Sequence, residues 1–216
     1  MSVDFLHILE SMGVQARMYQ YYSSFTLFFI MFAHGQYYLQ VEIDTKKAIL
    51  ETMIERFPNI LRGEIAYYET LVNEEARAAA SGDKEIEIAH KNNSPYNEVI
   101  EFHKNVLIFH YYSLAIMIYT FAESSLKLIC DKYNPIDKKG SGNYLIAYYN
   151  HIRKKYDNLP KLRKVWKDRQ SFQDMRNKIA HEMRIQNHIA TQEYLHKQLN
   201  DAHTMLCLVL DQVNKE

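Results

Sequence analysis

Apolar and polar residues alternate along most of this chain with the period of an α-helix. From Val99 to Tyr133 the pattern continues without a glycine or a proline, and its middle, LAIMIYTFAESSLKLIC, is apolar on almost every side. A helix that is apolar all round is typical of the centre of a helical bundle. The pattern predicts a central helix over residues 98–133 and an amphipathic last helix over residues 191–213. The last helix carries one apolar stripe: Leu195, Leu199, Ala202, Leu206, Val209, Leu210 and Val213.

Weaker helical patterns predict further helices before the central one. They cover residues 3–13, residues 38–56 and a resumed helix that reaches Ala80. Pro58 is expected to end or kink the helix at that point, because proline lacks an amide donor and its ring clashes with the preceding turn.

Two more helices are predicted after the central one. The first is expected to start near Ser141 or Asn143, and the second opens at Leu159-Pro160, since proline is tolerated in a first turn. The second helix places six side chains toward a core: Leu162, Val165, Trp166, Phe172, Met175 and Ile179.

Residues 81–97 form the clearest interruption of the helical pattern. Between their turn-forming residues lies the segment EIEIAH. It alternates like a short strand, but it is too short for this pattern to distinguish a strand from other structure. Asn97 is a candidate cap for the next helix. On this basis we expect an N-terminal helical extension, residues 1–95, packed on a main helical domain, residues 96–216. The turn formers are Gly82, Asn92, Asn93, Ser94 and Pro95.

Composition favours an all-α fold. The chain has six glycines and four prolines, too few for the many turns of an all-β protein. Cys130 and Cys207 lie far apart in apolar helical patterns, so we expect them to be core thiols in a reducing compartment. Neither a Cys-x-x-Cys nor a His-Glu-x-x-His motif occurs, and we therefore expect no metal and no cofactor.

The N-terminal region is expected to lie outside a membrane. Its most apolar stretch, Phe25–Ala33, has nine residues, whereas a helix needs roughly 20 to span a bilayer. We expect this stretch to be a buried or interface segment. Asp4, His7 and Glu10 interrupt the place where a secretory signal would have its apolar region. These features predict a cytoplasmic protein that does not enter the membrane.

The formal net charge is zero, but the charges are distributed unevenly. Residues 132–184 contain 14 basic and five acidic residues, whereas residues 1–131 contain 10 basic and 17 acidic residues. A local excess of positive charge attracts polyanions even when the total charge is neutral. The alternative interpretation is an ordinary solvated basic surface.

The basic segment contains the hexapeptide RNKIAH, from Arg176 to His181. Arginine is permanently charged and can hold a phosphate through two parallel hydrogen bonds, and histidine exchanges protons near neutral pH. On an ideal helix, Asn177 and His181 lie about 40° apart around the axis, whereas Arg176 and His181 lie about 140° apart. Asn177 and His181 therefore share a face with Arg184, and the long Arg176 side chain must reach round to join them.

Cleavage of an RNA phosphodiester by acid–base chemistry needs two proton transfers. One removes the proton of the 2′-hydroxyl group and the other protonates the departing 5′-oxygen. One copy of the motif supplies a single imidazole, from His181. Two copies that face each other across a two-fold axis supply both, so we expect a homodimer with a composite site.

The RN-x-x-x-H pattern resembles the signature of the HEPN superfamily, which comprises helical ribonuclease and nucleotide-binding domains. The resemblance covers residues 97–213 and includes the order of the elements: a long apolar helix, the late motif and a final amphipathic helix. It implies an up-and-down bundle of about four or five helices. It also implies a metal-independent endoribonuclease that leaves a 2′,3′-cyclic phosphate and a 5′-hydroxyl group.

The resemblance implies a role for each residue of the motif. His181 is the general acid or base, and Arg176 stabilises the charge of the phosphorane. Asn177 orients His181 or contacts the phosphate. Lys178 and Arg184 are supporting candidates.

The family often has a polar or acidic residue on the preceding long helix. Glu123 is the first candidate for this position and Ser124 is the second. An alternative for Glu123 is a buried acid paired with a base such as Arg176.

The resemblance also implies a biological setting. Such proteins commonly act as toxins in toxin–antitoxin pairs or in abortive infection against phage, with RNA as the target. An antitoxin or a nucleotidyltransferase is then the expected partner. Two alternatives stay open: an HEPN-like domain that binds nucleotides or a partner without cutting RNA, and a helical interaction protein whose motif is accidental.

Overall fold

The computed structural model describes residues 39–136, 143–156, 158–182 and 191–215, without the side chains of residues 181 and 182. Within these residues the protein contains seven α-helices and no strand, so the all-α prediction is confirmed. The helix predicted over residues 3–13 and the apolar stretch Phe25–Ala33 lie outside the described residues. The helices are α1 (Leu39–Ala80), α2 (Lys84–Asn92), α3 (Tyr96–Tyr133), α4 (Tyr144–Lys155), α5 (Leu162–Val165), α6 (Arg169–Glu182) and α7 (Gln192–Val213).

The chain divides into two compact units, Met1–Ile49 and Leu50–Glu216. The second unit contains helices α2 to α7 and the RNKIAH motif. Each of the contacts described below lies within this second unit.

Helix α3 is the centre of the second unit. It packs against α4, α6 and α7, while α5 packs against α7. Its buried side chains extend from Ile100 to Cys130, as its almost uniformly apolar sequence predicts. Among the described helices, α3 alone is long and apolar enough to cross a membrane, and 56% of its most apolar window is buried inside the fold.

Pro58 was predicted to end or kink the helix. Helix α1 continues through Pro58, so an end at this position is wrong. At 42 residues α1 is also longer than α3, which has 38 residues. Hydrogen bonds to α3 hold α1 on both sides of the proline. His110 Nε2 contacts the carbonyl oxygen of Met53 at 3.1 Å, and Arg62 Nη2 donates to the hydroxyl of Tyr111 at 2.7 Å. These tertiary contacts offset the single backbone donor that proline removes.

The segment between α1 and α3 contains a helix, α2, and the alternative of a short strand is wrong. Residues Ser81 and Gly82 end α1 with positive φ angles of 48° and 98°, the left-handed conformation common after a helix. Asp83 then caps α2, because its carboxylate accepts from the backbone N–H of Glu85 at 2.8 Å. Asn97 does not cap α3; its Nδ2 donates to the carbonyl oxygen of Lys91 near the end of α2 at 2.8 Å.

The helix predicted from Leu159-Pro160 is divided into α5 and α6. The backbone leaves helical geometry at Trp166, whose indole is completely buried. Trp166 Nε1 donates to Oε1 of Gln198 on α7 at 2.6 Å, and the indole packs 6.0 Å from the ring of Phe172. Burial of this large side chain against α7 therefore accompanies the break between the two short helices.

The predicted starts of two other helices are confirmed. Asn143 caps α4 by accepting from the backbone N–H of Ile146 at 3.1 Å. Thr191 caps α7 by accepting from the backbone N–H of Tyr194 at 3.1 Å. All seven residues predicted for the apolar stripe of α7 are buried.

Candidate active site

Helix α6 carries the part of the predicted motif that the structure describes. Arg176, Asn177 and His181 all lie on this uninterrupted helix, so the last two are one turn apart along its backbone. Arg176 and Asn177 are half-buried, and Lys178 is exposed. The side chain of His181 and the whole of Arg184 lie outside the described residues.

The side chain of Arg176 is directed toward the central helix. Its guanidinium carbon lies 4.5 Å from the centre of the Tyr119 ring, a distance that gives a cation–π interaction. Its Nη1 donates to Oδ1 of Asn177 at 2.8 Å. The structure therefore shows Asn177 orienting the arginine. The predicted role of Asn177 in orienting His181 or a phosphate stays a prediction.

Tyr119 connects α6 with the start of α4. Its ring is buried, and its hydroxyl donates to Oδ1 of Asn143 at 3.1 Å. Burial raises the pKa of Tyr119, and the negative charge of Glu123 raises it further, while the positive charge of Arg176 opposes this rise. Tyr119 is therefore a neutral hydrogen-bond donor at physiological pH.

The two candidates on the central helix differ in their surroundings. Glu123 lies one turn after Tyr119, is half-buried, and acts electrostatically on the Tyr119 hydroxyl. The structure thus places a carboxylate near the same tyrosine that holds Arg176. Ser124 Oγ donates to the carbonyl oxygen of Phe121 at 3.2 Å, within its own helix.

A second arginine, Arg169, lies seven residues before Arg176 on α6. Seven residues correspond to about two helical turns, so both arginines share a side of the helix. Arg169 is half-buried, and its Nη1 donates to Oε1 of Gln173 at 3.2 Å. Its buried Nε has no hydrogen-bond partner within residues 39–136, 143–156, 158–182 and 191–215. Burial lowers the pKa of Arg169 and nearby Tyr119 opposes this effect, but a guanidinium stays charged at neutral pH.

The sequence pattern did not predict a functional role for three residues of this cluster: Tyr119, Asn143 and Arg169. Asn143 was identified only as a possible helix start. The interval between Arg169 and Arg176 was a usable signal, because a seven-residue spacing places two side chains on one helical face. Nothing local indicated Tyr119, which lies 57 residues before Arg176 in the chain.

Comparison with known proteins gives no family for this chain. No protein-family model, no curated protein and no solved structure matches it. The resemblance to the HEPN superfamily therefore depends on the RN-x-x-x-H pattern and the order of the helices around it.

Proposed function

We propose that this chain is a metal-independent endoribonuclease of the HEPN type, acting through Arg176, Asn177 and His181. The observation that carries the proposal is the restraint on Arg176, which the Tyr119 ring and the Asn177 oxygen hold in place. His181 follows on the same helix, about one and a half turns later. A cation that is already fixed stabilises a developing negative charge without further reorganisation.

The proposed reaction is an internal transfer at phosphorus. The 2′-oxygen of the ribose loses its proton to a base and attacks the adjacent phosphate, and the 5′-oxygen leaves as it receives a proton. The imidazole of His181 performs one of these two transfers. Arg176 neutralises the charge on the phosphorane oxygens, because its guanidinium has further N–H donors besides the one given to Asn177. The products are a 2′,3′-cyclic phosphate and a 5′-hydroxyl group.

The second proton transfer is assigned to His181 of a second copy of the chain. In a homodimer with two-fold symmetry, each motif faces its counterpart, and one composite site contains two imidazoles. Dilution of the enzyme below the dimer dissociation constant should therefore reduce its specific activity. A sedimentation experiment at the same concentrations identifies the species present. Full activity of a demonstrated monomer contradicts the composite site.

The proposed biological role is that of a toxin or an anti-phage effector that acts on RNA. The partner is then an antitoxin or a nucleotidyltransferase. The runner-up function is a HEPN-like domain that binds nucleotides or a partner without cleaving RNA. The two functions differ in one measurable respect, because the runner-up binds nucleotide or a partner but leaves every RNA intact.

The test uses the purified full chain, labelled single-stranded RNA of mixed sequence and an excess of EDTA. Wild-type protein should degrade the RNA. Arg176→Ala and His181→Ala should each lower the rate at least about 100-fold, the usual scale for loss of an electrostatic or acid–base group. Circular dichroism and thermal denaturation establish that both variants remain folded.

Ser171→Ala is the matched control, because Ser171 is exposed on the same helix and outside the motif. It should cleave RNA at the wild-type rate. Absence of cleavage at high enzyme concentration, or a His181→Ala protein that cuts as fast as wild type, contradicts the proposed function. Binding of nucleotide or of a partner by the wild-type protein, without cleavage of RNA, supports the runner-up.

A further inference from the structure

We propose that Arg169 and Asn143, both close to the Tyr119 hydroxyl, form a phosphate-binding subsite beside the RNKIAH motif, and that it holds a backbone phosphate of RNA next to the one that is cleaved. The choice of RNA as the source of the phosphate rests on the proposed function. The subsite itself rests on the unpaired donors around Tyr119.

The amide of Asn143 has a fixed orientation. Its Oδ1 accepts from two donors, the Tyr119 hydroxyl at 3.1 Å and the backbone N–H of Ile146 at 3.1 Å. The amide nitrogen must then point away from both, and this Nδ2 is buried without a hydrogen-bond partner among the residues that the structure describes. A buried donor without a partner costs about 1–3 kcal/mol. Asn143 thus offers a free donor beside the Tyr119 hydroxyl.

Arg169 supplies the second free donor and a positive charge. Its Nε is buried and has no partner in the described part of the chain, and its charge acts on the Tyr119 hydroxyl. Two neighbouring acids are already engaged by other groups. Asp168 forms an ion pair with Lys197. Asp174 accepts from Gln170 at 3.0 Å, and its charge also acts on Arg169. The guanidinium therefore remains suited to a ligand that brings negative charge and several acceptor oxygens, as a phosphate does.

The electrostatic balance around Tyr119 favours an anion. Arg169 and Arg176 contribute two positive charges to the surroundings of its hydroxyl, and Glu123 contributes one negative charge. Arg169 and Asn143 are both partly exposed, whereas their unpaired Nε and Nδ2 atoms are buried, so a phosphate must approach these donors through the exposed parts of the two residues. The two arginines lie about 10 Å apart along the helix axis, which allows them to contact different phosphates of one strand.

Binding is measured with a fluorescein-labelled 2′-O-methyl RNA 12-mer, whose blocked 2′-oxygen prevents cleavage. Fluorescence anisotropy then reports affinity independently of activity. Arg169→Gln should weaken binding about tenfold, the scale for one charge-assisted hydrogen bond. It should also reduce the slope of log K against log salt by about 0.7, which corresponds to one phosphate contact on a single strand.

Asn143→Asp is the second variant, and it keeps the fold. Aspartate caps a helix as well as asparagine and still accepts from Tyr119 and Ile146. It replaces the free N–H donor by a negatively charged oxygen, so binding should weaken at least as much as in Arg169→Gln. A thermal denaturation temperature close to that of wild type excludes misfolding as the cause.

Arg163→Gln is the control for general charge, because Arg163 is an exposed arginine of the same basic segment. It should weaken binding much less than Arg169→Gln. Equal losses in the two arginine variants, or wild-type affinity in both Arg169→Gln and Asn143→Asp, overturn the subsite.

Adenosine monophosphate provides the second arm of the experiment, since a free nucleotide carries the same phosphate chemistry. If the affinity for RNA depends on Arg169, the subsite binds a phosphate of the RNA backbone. Dependence on Arg169 with the nucleotide but not with RNA supports a phosphate site and overturns its assignment to RNA. Failure of the subsite can be distinguished from failure of the proposed function. The subsite is tested by binding of uncleavable RNA, whereas the proposed function is tested by RNA cleavage and its dependence on His181.

Discussion

The guanidinium of Arg176 on α6 lies 4.5 Å above the ring of Tyr119 on the central helix α3. This contact restrains a long side chain that otherwise samples many rotamers, and it connects the predicted motif to the most buried helix of the second unit. The same ring carries a hydroxyl that bonds to Asn143 at the start of α4. Three helices thus meet at one tyrosine.

The ring and the hydroxyl of Tyr119 should have separable effects. Tyr119→Phe keeps the cation–π contact but removes the hydrogen bond to Asn143, so it should lower the free energy of unfolding by about 1 kcal/mol. Tyr119→Leu also removes the aromatic face from Arg176, which is worth about 0.5–2 kcal/mol. It should therefore reduce kcat for RNA cleavage more than Tyr119→Phe does. Urea denaturation and steady-state kinetics measure the two quantities. Equal kcat values for the two variants contradict a positioning role of the ring.

Asn177 should contribute to activity through Arg176. In Asn177→Ala the hydrogen bond to Nη1 is lost, and the guanidinium gains freedom on one side. We expect kcat to fall about tenfold, equivalent to about 1.4 kcal/mol of transition-state stabilisation. Ser171→Ala, an exposed change on the same helix, serves as the control and should have no effect. An unaltered kcat in Asn177→Ala rules out this restraint as a catalytic factor.

The hydrophobic pattern of the sequence was sufficient to predict the longer helices, but it missed α2 and some of the boundaries. The central helix and the stripe of the last helix follow from local periodicity. The division of the helix after Pro160 does not, because it accompanies the hydrogen bond of Trp166 to Gln198, 32 residues later. The continuity of α1 through Pro58 likewise depends on contacts with distant residues of α3.

The candidate site was predictable to the extent that it is local. Arg176 and Asn177 follow from six consecutive residues, and their mutual hydrogen bond is a neighbour contact. Tyr119 and Asn143 join the cluster through packing of α3 against α6 and α4. Sequence periodicity places a tyrosine on a buried face, but it does not specify which arginine from another helix lies over its ring.

The buried pair of Trp166 and Gln198 should be important for stability. Gln198 is completely buried, and its Oε1 is the acceptor for the indole N–H at 2.6 Å. Gln198→Ala leaves that N–H unpaired and opens a cavity, so the free energy of unfolding should fall by about 3 kcal/mol. Gln170→Ala removes the same side chain at an exposed position of α6 and should change stability by less than about 0.5 kcal/mol. Similar urea midpoints for the two variants count against this interpretation.

His110 should make the protein less stable in mild acid. Burial lowers the pKa of His110 from 6.5 to about 4 in the folded protein. Above pH 6.5 the imidazole is neutral in both the folded and the unfolded protein, so it adds no pH dependence to the free energy of unfolding. As the pH falls from 6.5 to 4, the unfolded chain binds a proton that the folded protein does not, so the free energy of unfolding decreases. The full loss, below pH 4, is about 3 kcal/mol.

His110→Gln isolates this contribution, because glutamine keeps an N–H donor for the carbonyl oxygen of Met53 but does not titrate. Urea denaturation at pH 7 and pH 4.5 should show a smaller acid loss in the variant than in wild type. The same pH dependence in both proteins means that His110 is not the responsible group.

Analysis of the RNA product ends tests the proposed chemistry most directly. Wild-type protein and His181→Ala are each incubated in EDTA with an RNA of defined sequence, and the products are identified by mass spectrometry. The proposed reaction predicts fragments with 2′,3′-cyclic phosphate and 5′-hydroxyl ends from the wild type, and intact RNA from His181→Ala. Fragments with 3′-hydroxyl and 5′-phosphate ends, or the same cyclic products from both proteins, contradict it.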